Sequence, residues 1–495
     1  MTSQAKKYHM KENNLFKKIV SNPHTLFWLL ACSILTGLTL PVLLKDGMFM
    51  DAVLYTSVSH NLSMGIGNFW FPQFSLHNVA DLPAFHEQPP LVFGIQSVFF
   101  RLLGGSLYVE RVYTFLTMCV SALLIVLLWR AVFVKENNLK KAGWLPVILW
   151  ITIPVCFWSY SNNMHENTMG IFTLSSALIT YKTFHKERFQ IILIIFSGIL
   201  IFLATFSKGI PGFFPLTLPF LYWLITKKIS FKKMFVQTLI LVFIPILIYV
   251  ILFQFPESKE SLSAYFFKRA LHRINEVPTV DSRFYILYRI FTELLPQMIV
   301  VLIFLLIARI KKIKNHVSEH LRESIFFIAV GLSASVPLML TLVQKGFYFV
   351  PALPFFAIGL SILIGPIISN FIEKIKSNTI KYKVLLFLVF LLFAGTCTFA
   401  LMQKGKFSRN EDMLHDIYLM GSVIPQRSIA GIPGELWNDW SLQCYMMRYF
   451  NISMDCTIKY DYAILDKSIK PTDKMDNYKK VEINTLIYDL YRRQQ

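Results

Sequence analysis

Eleven apolar runs, each close to the length of a bilayer crossing, punctuate this chain and leave few folds open to it. They fall at 24–44, 109–134, 143–160, 167–181, 189–207, 210–226, 234–254, 291–308, 323–343, 347–370 and 384–402. A spanning helix needs about 20 predominantly apolar residues, because only a helix satisfies its own backbone groups in hydrocarbon. Composition agrees: 55% of the 495 residues are hydrophobic and 16% are charged, with a mean hydropathy of +0.51. Soluble domains carry about 25% charged residues. The expected fold is an all-α polytopic membrane protein of about 11–13 transmembrane helices, spanning 1–402. A small C-terminal α/β domain follows over 403–495. Within that domain Ser428–Ile432 reads as a strand, Asn438–Phe450 as an amphipathic helix and Tyr460–Leu465 as a second strand.

The formal charge of +20 does not mark a nucleic-acid binder, because the basic residues lie in short blocks between apolar runs. With the N-terminus cytoplasmic, the inner segments hold 5 Lys+Arg in 1–23, 3 in 135–142, 3 in 182–188, 4 in 227–233, 5 in 309–322 and 4 in 373–383. The short outer segments hold one or none, apart from the long loop 255–290 and the tail, and long translocated segments escape this bias. The 14-residue apolar stretch 91–104 is too short to cross, and counting it would invert every later loop. It reads as a juxtamembrane helix. Loop 45–108, loop 255–290 and the tail then share the outer face. Cys444 and Cys456, both in the tail, are candidates either for a disulfide or for two free thiols.

Acidic groups at the boundary of such a protein point to chemistry on a lipid-borne substrate. Asp51 opens a surface helix over 51–62, where it either caps the helix or serves as a general base. Tyr55, one turn on, braces that carboxylate or anchors in the interface. Glu87 is stiffened by Pro89-Pro90 and suits positioning, divalent-cation binding or an ordinary loop role. Lys208 and Lys345, in short outer turns with Tyr348 close by, either snorkel or meet an anion such as a lipid phosphate. Lys268, Arg269, Arg273, Arg283 and Arg289 give the loop 255–290 phosphate-matching guanidinium groups beside a plain solvated face. His86, His165 and Glu166 match no zinc spacing.

Asp51-x-x-x-Tyr55, Asn61-Leu-Ser-Met-Gly65, Phe85-His-Glu-Gln-Pro-Pro-Leu91, the Leu103-Gly104 turn and Arg111 form an ordered set. It resembles the first outer loop of the GT-C fold, polyprenyl-phosphate-dependent glycosyltransferases, most of all the aminoarabinose (lipid A) transferases and protein O-mannosyltransferases. The Lys208-Gly209 turn and the Lys345…Tyr348…Pro351 segment fit the same pattern. The resemblance implies a polyprenyl-phosphate-linked sugar donor, a lipid, glycan or protein acceptor, and a bacterial inner membrane location with the C-terminal domain outside the cytoplasm. It implies Asp51 as the base that deprotonates the acceptor, inversion at the sugar C1, and Lys208 and Arg273 stabilising the departing phosphate. Tyr348 would donate to that phosphate, and Glu87 would hold substrate or loop. Two departures stand out: Ala52 follows Asp51 where relatives often carry an acid, and Gln88 replaces the lysine usual before the proline pair. Either Arg111 or a loop arginine would take that lysine's place, or the donor differs. A transporter or flippase for a lipid-linked glycan is the rival class. Charges at helix ends rather than at mid-membrane, and the lack of matching halves, favour the enzyme. A reporter fused after Gln495 is expected to report the outer compartment; a cytoplasmic signal would overturn the loop assignment.

Overall fold

The computed structural model describes residues 20–76, 84–186, 190–271, 277–312, 317–470 and 475–494. Among these, eight helices are long and apolar enough to cross a membrane. The helices used below are α1 Pro23–Leu43, α2 Met50–Ser63, α3 Leu91–Leu103, α4 Val109–Val132, α5 Trp144–Ile151, α6 Pro154–Tyr160, α7 His165–Phe184, α8 Gln190–Lys208, α9 Leu218–Thr226, α10 Phe231–Leu252, α11 Pro256–Ser263, α12 Tyr285–Ile310, α13 Val317–Ser335, α14 Leu353–Glu373, α15 Ile380–Leu401, α16 Glu411–Val423 and α17 Trp440–Phe450.

Three of the eleven expected runs are not long apolar helices, each for a readable reason. Run 143–160 breaks into α5 and α6 because Pro154 holds Ile153 extended, at φ −70° and ψ 125°. The Val155 N–H, left without a helical acceptor, donates to Glu293 Oε2 of α12 at 2.8 Å. Arg289 Nη2 balances that carboxylate at 2.8 Å from Oε1. Irregular backbone inside a bundle persists only when a neighbour satisfies it in this way. Run 210–226 starts as a 3-10 turn, Ile210–Thr217, carrying Pro211 and Pro215, before α9 begins. Run 167–181 sits inside the 20-residue helix α7, which is too polar to count among the eight.

Burial sorts the helices into layers. The span around α14 buries 83% of its most apolar window and α15 only 6%, so α14 is central while α15 presents its sides to acyl chains. Tyr181, Phe184, Tyr222, Phe326 and Phe327 knit α7, α9 and α13 together, with the Phe184 and Tyr222 rings stacked at 4.2 Å. At the edge, α1 and α15 meet through small residues. Thr36 Oγ1 lies 3.2 Å from Thr396 Oγ1. A Cβ on Gly37 would approach Thr396 Cγ2 to 3.1 Å, the close backbone approach that holds helices together in lipid.

The stretch 91–104 forms α3, whose Phe93, Gln96 and Phe100 are buried while Leu102 and Leu103 are exposed. The helix expected from Asp51 is α2, but it is not a surface helix: ten of its 14 residues are buried, with the loop and the sheet domain packed over it. The tail carries a five-stranded sheet: β1 Ile429–Gly431, β2 Ser453–Asp455, β3 Tyr462–Asp466, β4 Tyr478–Lys480 and β5 Tyr488–Arg493, in the order β2-β1-β3-β5-β4. β1 pairs parallel with β2 and β3, and β5 pairs antiparallel with β3 and β4. The strands at 429–431 and 462–466 and the helix α17 fall where the sequence put them; β2, β4, β5 and α16 were not anticipated. Asp416 of α16, fully buried, accepts from the backbone N–H groups of Leu486, Ile487 and Tyr488 and so fixes the entry to β5. Cys444 is buried, Cys456 is exposed, and both are free thiols.

Two buried polar knots seat this sheet domain on the first outer loop. Asp46 accepts from Tyr418, Tyr449 and the Gly47 N–H, with Arg111 Nη2 at 3.3 Å. Arg448 of α17 reaches Glu110 of α4 at 2.7 Å and the carbonyls of Gly105 and Ser106 at 3.0 and 2.9 Å. His60 lies against this second knot; burial, aided by the charge of Arg448, pushes its pKa down to about 3 and keeps the ring neutral. The Arg448 and Glu110 side chains are only 2% and 3% exposed. Removing one partner of such a pair strands a buried charge. Arg448→Met is therefore expected to lower stability by about 3 kcal/mol, read as a drop in the unfolding midpoint of the detergent-solubilised protein.

Candidate active site

Helix α2 begins at Met50, directly after the loop that follows α1, and this puts Asp51 in its first turn beside unsatisfied N–H groups. Asp51 lines a cavity of about 330 Å³ with Leu54, Tyr55, Phe85, Glu87, Arg269 and Trp440. Trp440, at the start of α17, makes the sheet domain part of that wall. Glu87 and Arg269 also line a second cavity, of about 210 Å³, whose walls include Glu166, Lys208, Tyr265 and Tyr348. The Glu87–Arg269 ion pair thus stands between the two spaces.

Each charged group is held by a local feature of the sequence. Lys208 is the last residue of α8 and only 8% exposed. Its Nζ lies 3.2 Å from Glu166 Oε1 and 5.0 Å from the centre of the Tyr55 ring, so the ammonium has both an anion and a π face. Glu166, 1% exposed, sits in the first turn of α7, where the helix dipole favours a carboxylate. Tyr55 is itself fixed: Gln88 Nε2 donates to its hydroxyl at 3.2 Å, and its ring packs against His165 at 4.5 Å and edge-on to Phe85 and Phe93. Asn61 Nδ2 donates to the carbonyls of Gln73 and Phe74 at 3.1 and 2.7 Å, pinning the loop over α2. After α11 the chain widens into a π turn, Ala264–Ala270, which carries both Tyr265 and Arg269 to the cavity. Tyr348 arrives on the 3-10 turn Gly346–Ala352.

Of the residues singled out in the sequence, Asp51, Tyr55, Glu87, Lys208 and Tyr348 therefore gather around two adjoining cavities. Arg111 lines neither; its guanidinium is committed to Asp46 and the Leu107 carbonyl, where it braces the sheet domain. Lys345 is exposed and lines neither cavity. Arg273 lies outside the described residues. Arg269, four residues earlier, is the loop cation that lines both spaces. Glu166, considered in the sequence only beside His86 and His165, is the partner of Lys208. His86 faces a different cavity of about 570 Å³, with Glu260 and Lys268. Burial holds His86 below the usual imidazole range; Glu260 opposes this and Lys268 adds to it. Among the described residues, no three His, Cys, Asp or Glu side chains converge as a metal-ligand set.

The arrangement is a cleft at one end of the bundle with paired cations at an apolar wall and a carboxylate across from them. The chain has the fold of the GT-C class of membrane glycosyltransferases. Residues 87–253 match the model of the dolichyl-phosphate-mannose-protein mannosyltransferase family. No curated protein sequence matches the chain. The crystal structure of ArnT from Cupriavidus metallidurans in the apo state is similar at a TM-score of 0.62 and 11% identity, covering 99% of this chain and 98% of that one. The same enzyme bound to undecaprenyl phosphate gives 0.60 and 11%, over 94% and 97%. The oligosaccharyltransferase AglB from Archaeoglobus fulgidus, in complex with an inhibitory peptide and a dolichol-phosphate, gives 0.47 and 12%, over 89% and 69%.

Gly209 shapes the cleft beside Lys208. It takes φ +81°, and a Cβ there would collide with the Tyr265 hydroxyl. Gly209→Ala is expected to cost about 1–2 kcal/mol in backbone strain alone and to displace Tyr265 from the cavity. The check is a lowered unfolding midpoint together with weakened binding of a polyprenyl phosphate.

Proposed function

We propose that this protein transfers a sugar from a polyprenyl-phosphate donor to a lipid, glycan or protein hydroxyl at the outer face of a bacterial inner membrane, with inversion at the sugar C1. The observation that carries the reading is the convergence of Asp51 with Arg269 and Glu87 on one cavity, and of that same pair with Lys208 and Tyr348 on the next. In this scheme the donor's phosphate lies in the second cavity, near Lys208, Arg269 and Tyr348, with its isoprenoid chain along Ile210, Pro211 and Leu338. The acceptor hydroxyl enters the first cavity. Asp51 takes its proton as the oxygen bonds to C1 and the C1–O bond to phosphate breaks. The electron pair of that bond leaves with the polyprenyl phosphate. Fixed cations in a site shielded from water stabilise this growing charge without reorganising. Glu87 orients Arg269. ArnT, with which the chain shares its fold, was crystallised with undecaprenyl phosphate, a ligand of the class proposed here.

A flippase for a lipid-linked glycan is the less favoured class, because the cations sit at helix ends and the family model that matches describes a mannosyltransferase. Asp51→Asn separates the two. It is expected to slow transfer by about 10²–10⁴-fold while folding and polyprenyl-phosphate binding persist, measured as sugar transfer by the purified protein. Transfer at a near wild-type rate would remove Asp51 from the mechanism, and lipid translocation without transfer would support the flippase.

A further inference from the structure

The lining of the first cavity narrows what the acceptor can be. Met50, Leu54 and Phe85 supply apolar wall, Asp51 and Glu87 two carboxylates, Arg269 one guanidinium, and Tyr55 and Trp440 two aromatic rings with polar handles. An anionic guest would meet two carboxylates against one cation, and that cation is already paired with Glu87. At about 330 Å³ the space lies at the lower end of small-molecule pockets, which run from roughly 300 to 1,000 Å³. It suits a compact, neutral, ring-sized guest.

Trp440 adds a second constraint. It is the first residue of α17, and Asp439 before it caps that helix, accepting from the Leu442 N–H at 3.1 Å and from the Tyr488 hydroxyl at 2.9 Å. The half-buried indole packs against Phe74 at 6.0 Å, with the ring planes inclined at 57°. Its nitrogen has no part in this framework. Trp129 donates its N–H to the Leu139 carbonyl at 2.8 Å and Trp144 to His24 at 3.3 Å. Trp440 Nε1 meets no acceptor among the described residues, and it is not one of the sealed polar atoms. A tryptophan N–H usually finds a partner inside a protein; this one is left to water or to a guest.

A sugar ring answers both constraints. The C–H groups on one face of a pyranose carry partial positive charge and lie well against the electron-rich face of an indole. Its hydroxyls donate to carboxylates. An acyl chain would desolvate the two carboxylates and return no hydrogen bond. A peptide has no flat C–H face to set on the indole. We propose that the acceptor is a neutral pyranoside, part of a glycan or of a glycolipid head group, stacked on Trp440 with its reacting hydroxyl turned toward Asp51. The proposal deepens the transfer reading above and rests on it. The bundle then holds the donor, while the sheet domain selects the acceptor through Trp440.

Ligand-observed NMR on the full-length protein, in nanodiscs free of glycoside detergent, tests this. The probes are cellobiose, maltose and N-acetylchitobiose, octyl glucoside as a glycolipid mimic, and a threonine-containing pentapeptide. At least one saccharide probe is expected to bind, and the peptide is not. Tighter binding of octyl glucoside would assign the ring to a lipid, and tighter binding of a disaccharide to a glycan; either supports the proposal. Trp440→Ala should weaken saccharide binding by roughly fivefold to tenfold, the worth of one aromatic contact. Trp440→Phe, which keeps a ring, should retain most of it. Binding of a polyprenyl phosphate should be unchanged in both variants, whereas a merely structural role would lower the two affinities together. No binding by any saccharide probe, peptide binding as tight as theirs, or an equal loss of both ligands in Trp440→Ala would each overturn the proposal, as would undiminished saccharide binding in that variant. Saccharide binding by a wild-type protein that retains no polyprenyl phosphate would instead overturn the transfer reading.

Discussion

A charge set against hydrocarbon must have a partner, and that requirement organises this molecule. Lys208 ends a span and is nearly buried, so it stands only because Glu166 and the Tyr55 ring receive it. Glu293 is tolerated deep in the bundle because it answers both Arg289 and the N–H freed by Pro154. Arg448 and Glu110 satisfy each other where the sheet domain meets the first loop. The Lys208–Glu166 and Arg448–Glu110 pairs, and the bond from the Val155 N–H to Glu293, each join segments far apart in sequence, so polar pairing fixes which helices lie next to which after apolar packing has brought them together.

The same rule gives the cleft its chemistry. Lys208 and Arg269 each face a carboxylate, which keeps the cations in place. In the proposed function, an entering phosphate would compete with Glu166 and Glu87 for cations already oriented. Binding and preorganisation would then come from one set of contacts, as suits a site that stabilises a departing anion.

Much of the architecture was legible because apolar run length and the placement of lysine and arginine are local signals. The eight long spans, α2, α3 and the core of the sheet domain follow from them. The three runs that differ contain Pro154, Pro211 with Pro215, or the polar residues of α7, and backbone chemistry outweighed hydrophobicity there. The first-loop residues Asp51, Tyr55 and Glu87 were legible as a motif. Glu166 as the partner of Lys208 was not, since that contact joins two helices by packing. Nor did the sequence single out Arg269 among the loop cations, because the π turn that carries it to the cavity leaves no local signal. Arg111 looked like a phosphate ligand from its motif; only its non-local contact with Asp46 reveals a bracing role. The strands β2 and β4, three residues each, carry too few residues for a period-2 pattern to emerge.

Trp440 belongs to the sheet domain yet closes the wall beside Asp51. Docking of that domain and occupancy of the first cavity are consequently linked equilibria. A guest that touches the indole adds its binding energy to the domain's hold on the bundle, and loosening that hold weakens the guest by the same factor. The sheet domain is thus thermodynamically part of the cavity wall, and sequence drift on its remote strands can tune affinity without altering any residue that lines the cavity.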